Sequence, residues 1–248
     1  MSEYIIHPIV MGTKVFDKGM MTYQHDYGTP FTIPIYCWYI EGGNKKILID
    51  TGEIHPVQSS EREKAIGGKI YTFEEGLAKH GLTPEDIDIV IHTHLHNDHC
   101  ENDYKCTNAR FFIHQKELET IKNCHPLDFR YVEDFIYEIE ENKQIEVVTQ
   151  DTELFSGIEL MHTPIHTPGG VTVFIKTASG KAAITGFCVL KENFYPPVNV
   201  RAMEMEVIPP GTHINTYEAY DTMLKVKTMA DIILPLHEPE FATGNPIC

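Results

Sequence analysis

Residues 94–99 read His94-Leu95-His96-Asn97-Asp98-His99 and follow the apolar run Ile87-Asp88-Ile89-Val90-Ile91. Four metal-binding side chains within six positions, at the end of a buried strand, constrain this chain more than any other feature. If the strand continues to His96, alternation puts His94 and His96 on one face, and two imidazoles converge. Past the strand end, Asp98 and His99 enter a turn or a helix start, which brings a carboxylate and a third imidazole over the same spot. The competing reading is a chance cluster in a polar loop, and for a lone histidine that reading prevails. Here the strand-end position and the mix of imidazole and carboxylate match a metal site.

Composition narrows what such a site serves. The 248 residues are 42% hydrophobic, enough for one sizeable core, and no tract is long and apolar enough to cross a bilayer. The start, Met1-Ser2-Glu3-Tyr4-Ile5-Ile6-His7-Pro8, lacks a basic leader and a cleavage site, so a cytoplasmic location is expected. A formal charge of -16 with only four arginines works against binding a polyanion, so nucleic acid is not an expected partner, nor is a membrane. The same charge disfavours a highly anionic substrate. Cys37, Cys100, Cys106, Cys124, Cys188 and Cys248 form no CxxC pair and read as thiols. A zinc site from Cys100, Cys106, Cys124 and His125 would have the spacing of no familiar knuckle or ribbon.

No linker or biased tract divides the chain, so a single domain over residues 1–248 is expected. Residues 32–40 form a β-branched and aromatic run, Glu41-Gly42-Gly43-Asn44 turns, and the return strand ends at Asp50-Thr51-Gly52. Residues 171–177, the turn Ser179-Gly180 and residues 182–186 repeat that plan, which points to two related halves. Helices are expected after Thr72 with Glu75 three residues on, in residues 115–123 and 129–140, and after Asn215 and Glu218, with a short turn at residues 83–86. A strand follows at residues 231–235. Strands alternating with helices give a mixed α/β sandwich.

The pattern HxHxDH resembles the signature of the metallo-β-lactamase superfamily. Asp50 in Leu48-Ile49-Asp50-Thr51-Gly52, His166 in Thr163-Pro164-Ile165-His166-Thr167-Pro168-Gly169 and His237 in Leu234-Pro235-Leu236-His237-Glu238-Pro239 resemble its other landmarks, in order. Prolines on both sides of His166 fix its loop, and His237 follows an apolar strand where a rim meets solvent. Asp50 by itself could merely cap its own turn.

The resemblance implies a four-layer αββα sandwich of two mixed sheets flanked by helices. It also implies one metal on His94, His96 and His166, another on Asp98, His99 and His237, and Asp50 bracing the ligand loop. Two zinc ions per chain are the expected cofactor, with iron or manganese using similar donors. Residues 93–117 look most like the branch containing the N-acyl-homoserine lactonases. This implies a metal-dependent hydrolase in which hydroxide on the metals opens a lactone or cleaves a small ester, with Asp98 steering the proton to the leaving group. The alternatives are iron-dependent oxygen or persulfide chemistry on the same donors, and a non-catalytic binding protein with a degenerate site. The partner is a small-molecule substrate. Met203 and Met205 serve a homodimer contact or the core equally well.

Two departures stand out. The family's Gly-Asp step, whose carboxylate bridges the metals, reads Thr185-Gly186-Phe187-Cys188 here. Six ligands without a bridge, a Cys188 thiolate, or a weak or absent second metal each accommodate this. Residues 187 and 188 face opposite sides of a regular strand, so a Cys188 ligand needs a bulge, and a buried inert cysteine is the more usual outcome. The second departure is Gly170, where many relatives have histidine. His162 precedes the turn that presents His166 and is not a substitute. Residues 191–213, rich in proline and methionine, are expected to cover the metals, with Tyr195 and Met205 shaping the pocket.

Overall fold

The computed structural model describes residues 3–201 and 204–248. Its β-branched and aromatic runs form two sheets. The first has the order β1 (Ile5–Asp17), β2 (Pro30–Glu41), β3 (Ile47–Ile49), β4 (Ile89–Ile91), β5 (Arg110–His114), β6 (Ile145–Val148). The second contains β7 (Thr152–Phe155), β8 (Ile158–His162), β9 (Val171–Thr177), β10 (Gly180–Ile184) and β11 (Ile232–Leu234), ordered β11-β10-β9-β8-β7. Both are mixed: β1, β2 and β3 pair antiparallel and β3 through β6 parallel, while β7 through β10 are antiparallel and β11 joins β10 in parallel.

Side-chain alternation explains the layering. Trp38, Ile40, Ile47, Ile49 and Ile91 point inward and meet Val173, Ile175, Ala182, Ile184 and Leu234 of the other sheet in one core. Their neighbours Tyr39, Leu48, Val90 and Phe111 point outward and pack on Phe73 and Leu77 of one helix and on Ile121, Ile136 and Ile139 of two others. On the far side, Phe174, Ala183 and Ile233 pack on Ala219, Met223 and Val226. The helices are α1 (Ser60–Ile66), α2 (Phe73–Ala78), α3 (Asn97–Cys100), α4 (Gln115–Lys122), α5 (Asp134–Glu141), α6 (Lys191–Phe194), α7 (Val198–Arg201) and α8 (Thr216–Met229). Three apolar interfaces between helix, sheet, sheet and helix make the four-layer αββα sandwich.

The expected hairpins are β2–β3 and β9–β10, and each is followed, after helices, by a strand parallel to its second member: β4 beside β3, and β11 beside β10. The repeat puts Asp50 after β3 and Thr185-Gly186 after β10. Likewise the histidine run follows β4 and His237 follows β11. The reciprocal Thr72 and Glu75 bonds open α2, and the Asn215 side chain accepts from Tyr217 and Glu218 N–H to open α8. Two expectations shift. The strand before the histidines stops at Ile91, and the helix sought at 129–140 begins at Asp134, leaving Phe129 in an exposed loop. Among the described residues no helix is long and apolar enough to cross a membrane.

Candidate metal centre

Beyond β4 the chain leaves the first sheet and crosses to the second. His92 N still bonds Phe112 O at 3.1 Å, but Thr93 N donates to Asp50 Oδ1 at 2.8 Å and Thr93 O accepts from Val171 N at 2.9 Å. Leu95 N is held by the buried carboxylate of Glu117, which also accepts from Gly169 N and Tyr131 OH. Glu117 thereby ties the histidine run to the loop carrying His166. His96 then starts α3, which presents Asp98 and His99.

These turns gather the histidines. The rings of His94 and His96 lie 4.6 Å apart, His94 and His99 4.2 Å, His96 and His166 4.8 Å, and His99 and His237 5.5 Å. One nitrogen from each of His94, His96 and His166 falls within 4.8 Å of the other two. Asp98 Oδ1 is 3.9 Å from His99 Nε2. His94, His96 and His166 thus form one metal-sized cluster with Asp98, His99 and His237 beside it, although His94 and His96 converge through a loop and not by strand alternation.

Each ring is tied on its outer side. His94 Nδ1 donates to Thr93 Oγ1 (3.1 Å), His99 Nδ1 to Asp50 Oδ2 (2.9 Å), His166 Nδ1 to Thr212 O (2.8 Å) and His237 Nδ1 to Pro34 O (3.0 Å). His96 reverses the pattern, giving Nε2 to Asp128 Oδ2 at 3.2 Å. Such bonds fix the tautomer and leave the other nitrogen's lone pair for a metal. Burial, reinforced by neighbouring rings, pushes His94 and His166 well below the ordinary imidazole range and His237 down to about 4. Burial also favours neutral His99, but Asp98 and Asp50 outweigh it and raise that ring, so a metal there would displace a proton. The neutral rings of His94, His166 and His237 with the Asp98 carboxylate fit a divalent metal.

Behind the rings lies a buried chain of charge. Asp50 adopts a left-handed backbone (φ 58°), which aims its carboxylate at Thr93, His99 and, at an ion-pair distance of 3.4 Å, His92. His92 Nε2 in turn donates to Asp103 Oδ2 at 2.8 Å, and Asp103 accepts from Thr51 Oγ1 at 2.8 Å. Burial favours neutral His92, but Asp103 and Asp50 outweigh it and push the ring's pKa up to about 10. Sequence reading anticipated Asp50 but missed His92, Asp103, Glu117 and Asp128. The available signals were His92, two residues before His94, and Asp103, four residues after His99; Glu117 and Asp128 lie farther along the chain.

Gly52 closes the Asp50 turn at φ +70°, and a Cβ there would sit 2.2 Å from Met11 Cβ. Gly52→Ala is expected to destabilise the fold by at least ~1–3 kcal/mol through overpacking, with left-handed strain in addition. Thermal unfolding checks this, and a midpoint equal to that of the unaltered protein would refute the packing claim.

A cavity of about 490 Å³ opens onto the site, with Phe16, Met20, Met21 and Phe129 as apolar walls and Asp98 and Cys188 at its inner surface. The other half of the altered step, Phe187, turns away into the core under α8. Cys188 Sγ lies 3.5 Å from Met21 Sδ, and burial pushes its thiol up to about 12. It is not among the side chains grouped with His94, His96 and His166. Tyr195 and Met205 line a different groove with Lys227, so among the described residues of 191–213 it is Thr212 that reaches the metal cavity. Met203 lies outside the described residues. His162 stacks on His114 at 4.2 Å and bonds Pro168 O, away from the site. All six cysteines are free, with Cys100 and Cys106 in the core and Cys124 exposed.

Residues 31–229 match the family model of the metallo-beta-lactamase superfamily. The chain belongs to this superfamily. An N-acyl homoserine lactonase of Bacillus cereus is 27% identical over 214 residues, covering 79% of this chain and 80% of that protein. A probable metallo-hydrolase of Methanocaldococcus jannaschii is 28% identical over 66% of this chain and 63% of its own length. The structure of an N-acyl homoserine lactone hydrolase, with the product N-hexanoyl-L-homoserine at its catalytic metal centre, superposes with a TM-score of 0.75 at 24% identity, covering 97% of this chain and 95% of that one. A dizinc quorum-quenching lactonase gives 0.66 at 16% identity, covering 96% and 88%. This metallo-β-lactamase superfamily member is thus a metal-dependent hydrolase. Within the superfamily pattern, Gly170 is crowded: a Cβ there would meet Gly186 O and Thr167 Oγ1 at 3.1 Å. A histidine at 170 needs that loop to shift.

Proposed function

We propose that the protein opens a lactone or cleaves a small ester, using two zinc ions, one on His94, His96 and His166 and the other on Asp98, His99 and His237. The observation that carries this reading is the set of five imidazoles, each tied on its outer nitrogen and turned to the site on its inner one, beside a carboxylate that lines a cavity. Bound zinc would supply Lewis acidity toward the carbonyl and lower the pKa of water toward 7. The chain's own residues do the rest. Asp98 stands at the cavity's inner surface, where its free oxygen can take a proton from the attacking water and deliver it to the leaving oxygen. Phe16, Met20, Met21 and Phe129 shed water around the acyl portion and hold the carbonyl over the site. Asp50, Asp128 and the Pro34 and Thr212 carbonyls keep the rings from rotating. The N-acyl homoserine lactonases among the relatives support a lactone as substrate.

The test pairs metal content, measured on protein purified without added metal, with a screen of lactones and simple esters. About two zinc per chain with turnover that a chelator removes is the expected result. Iron without hydrolysis would overturn it in favour of oxygen or persulfide chemistry, and protein that binds no metal would point to a non-catalytic role.

A further inference from the structure

Resting on that hydrolytic reading, we infer that Arg130 is a specificity-determining residue that binds a carboxylate, and that the substrate is an ester or lactone carrying a separate anionic group. Arg130 lines the metal cavity together with Asp98. Its Nε donates to Asp128 Oδ1 at 2.7 Å, and its Nη1 lies 3.4 Å from His166 Nε2, the inner nitrogen. Asp128 also receives His96 Nε2, so one carboxylate locates both a candidate ligand and the guanidinium. Among the described residues the second terminal nitrogen, Nη2, has no hydrogen-bond acceptor.

The other cation at this cavity, Lys14, is already paired with Glu53. Arg130 is different. An ion on His94, His96 and His166 takes the lone pair that Nη1 now faces, which frees both terminal nitrogens while Nε stays anchored. A guanidinium so held offers a planar pair of donors, the geometry that matches a carboxylate. On either side of Asp128, Leu127 and Phe129 line the same cavity with largely exposed apolar side chains. The protein's net charge of -16 repels anions in general, so this cavity is where one would be selected.

A rival role for Arg130 is purely structural, because its Nε holds Asp128, which in turn fixes His96. Calorimetric titration of the zinc-loaded protein with succinate and with butyrate separates the two, the second carboxylate being the only difference between these probes. Succinate is expected to bind about tenfold tighter or better. In Arg130→Ala that preference should fall to about one, with butyrate affinity and zinc content retained, and Arg130→Lys should recover part of it. Methyl hydrogen succinate against methyl butyrate, compared by kcat/KM, should show the same pattern. Equal binding of the two acids to the unaltered protein, an unchanged preference in Arg130→Ala, or loss of zinc from Arg130→Ala would each overturn the assignment. A succinate preference that depends on Arg130 without any ester turnover would instead remove the hydrolytic reading and leave the anion site standing.

Discussion

His96→Ala is expected to strip hydrolysis by well over ~100-fold and to leave at most one tightly held metal ion per chain, since losing merely an outer partner of a metal ligand costs about 10–100-fold. His96 stands between the rings of His94 and His166, and its Nε2 is fixed by Asp128, so its Nδ1 is the nitrogen turned to the site. Alanine removes that donor and, of core contacts, the edge-on packing of His96 against Tyr131. Metal analysis alongside turnover of the best substrate decides the matter. His162→Ala is the matched control, because that ring stacks on His114 outside the site. Full metal content with turnover within tenfold of the unaltered enzyme would mean His96 is no ligand.

Asp50→Asn is expected to damage stability and metal retention together. Asp50 has no solvent exposure and meets Thr93, His99 and His92. Burial opposes its ionisation, but His99 and His92 outweigh that and hold its pKa at about 2, so it is an anion throughout the neutral range. Exchanging it for a neutral amide leaves the protonated His92 short of one of its two counterions. Breaking one partner of a buried charge pair costs ~3–5 kcal/mol, which for a chain of this size lowers Tm by about 6–20 °C. The misaligned His99 ring should also weaken metal affinity by about 10–100-fold. Thermal unfolding with and without added zinc separates the two effects. A midpoint within a few degrees of the parent in both conditions would show that Asp50 is not the buried counterion described.

The sequence made the site legible because its donors are local or sit in short, stiff contexts. His94, His96, Asp98 and His99 form one run, His166 lies between two prolines, and His237 follows a strand ending in proline. The two hairpins were legible as β-branched runs around glycine turns, whereas the four layers came from the family resemblance, because runs buried on both faces show no polar alternation. What stayed hidden depends on contacts between distant segments. Glu117 reads as one more acidic residue of a surface helix until Leu95 and Gly169 N–H converge on it. Asp103 is unremarkable without His92 beside it, and Arg130 gains meaning only because its loop folds over His166. The strand β1 also went unread, with residues 5–17 lacking strict alternation and interrupted by Pro8 and Gly12. Residues 187 and 188 lie in a bend beyond β10, so strand alternation does not govern them: Phe187 enters the core and Cys188 lines the cavity.

The five imidazoles do not come from one sheet. His94, His96 and His99 hang from the end of β4, while His166 follows β8 and His237 follows β11 on the opposite sheet. An ion shared among them is therefore a cross-link between the two halves of the sandwich, and occupancy and folding become a single variable. Every tenfold rise of free metal above its dissociation constant adds about 1.4 kcal/mol to the folded state. A cell that withholds the metal would then lower the amount of intact protein along with its activity, so that supply sets abundance and turnover through the same clasp.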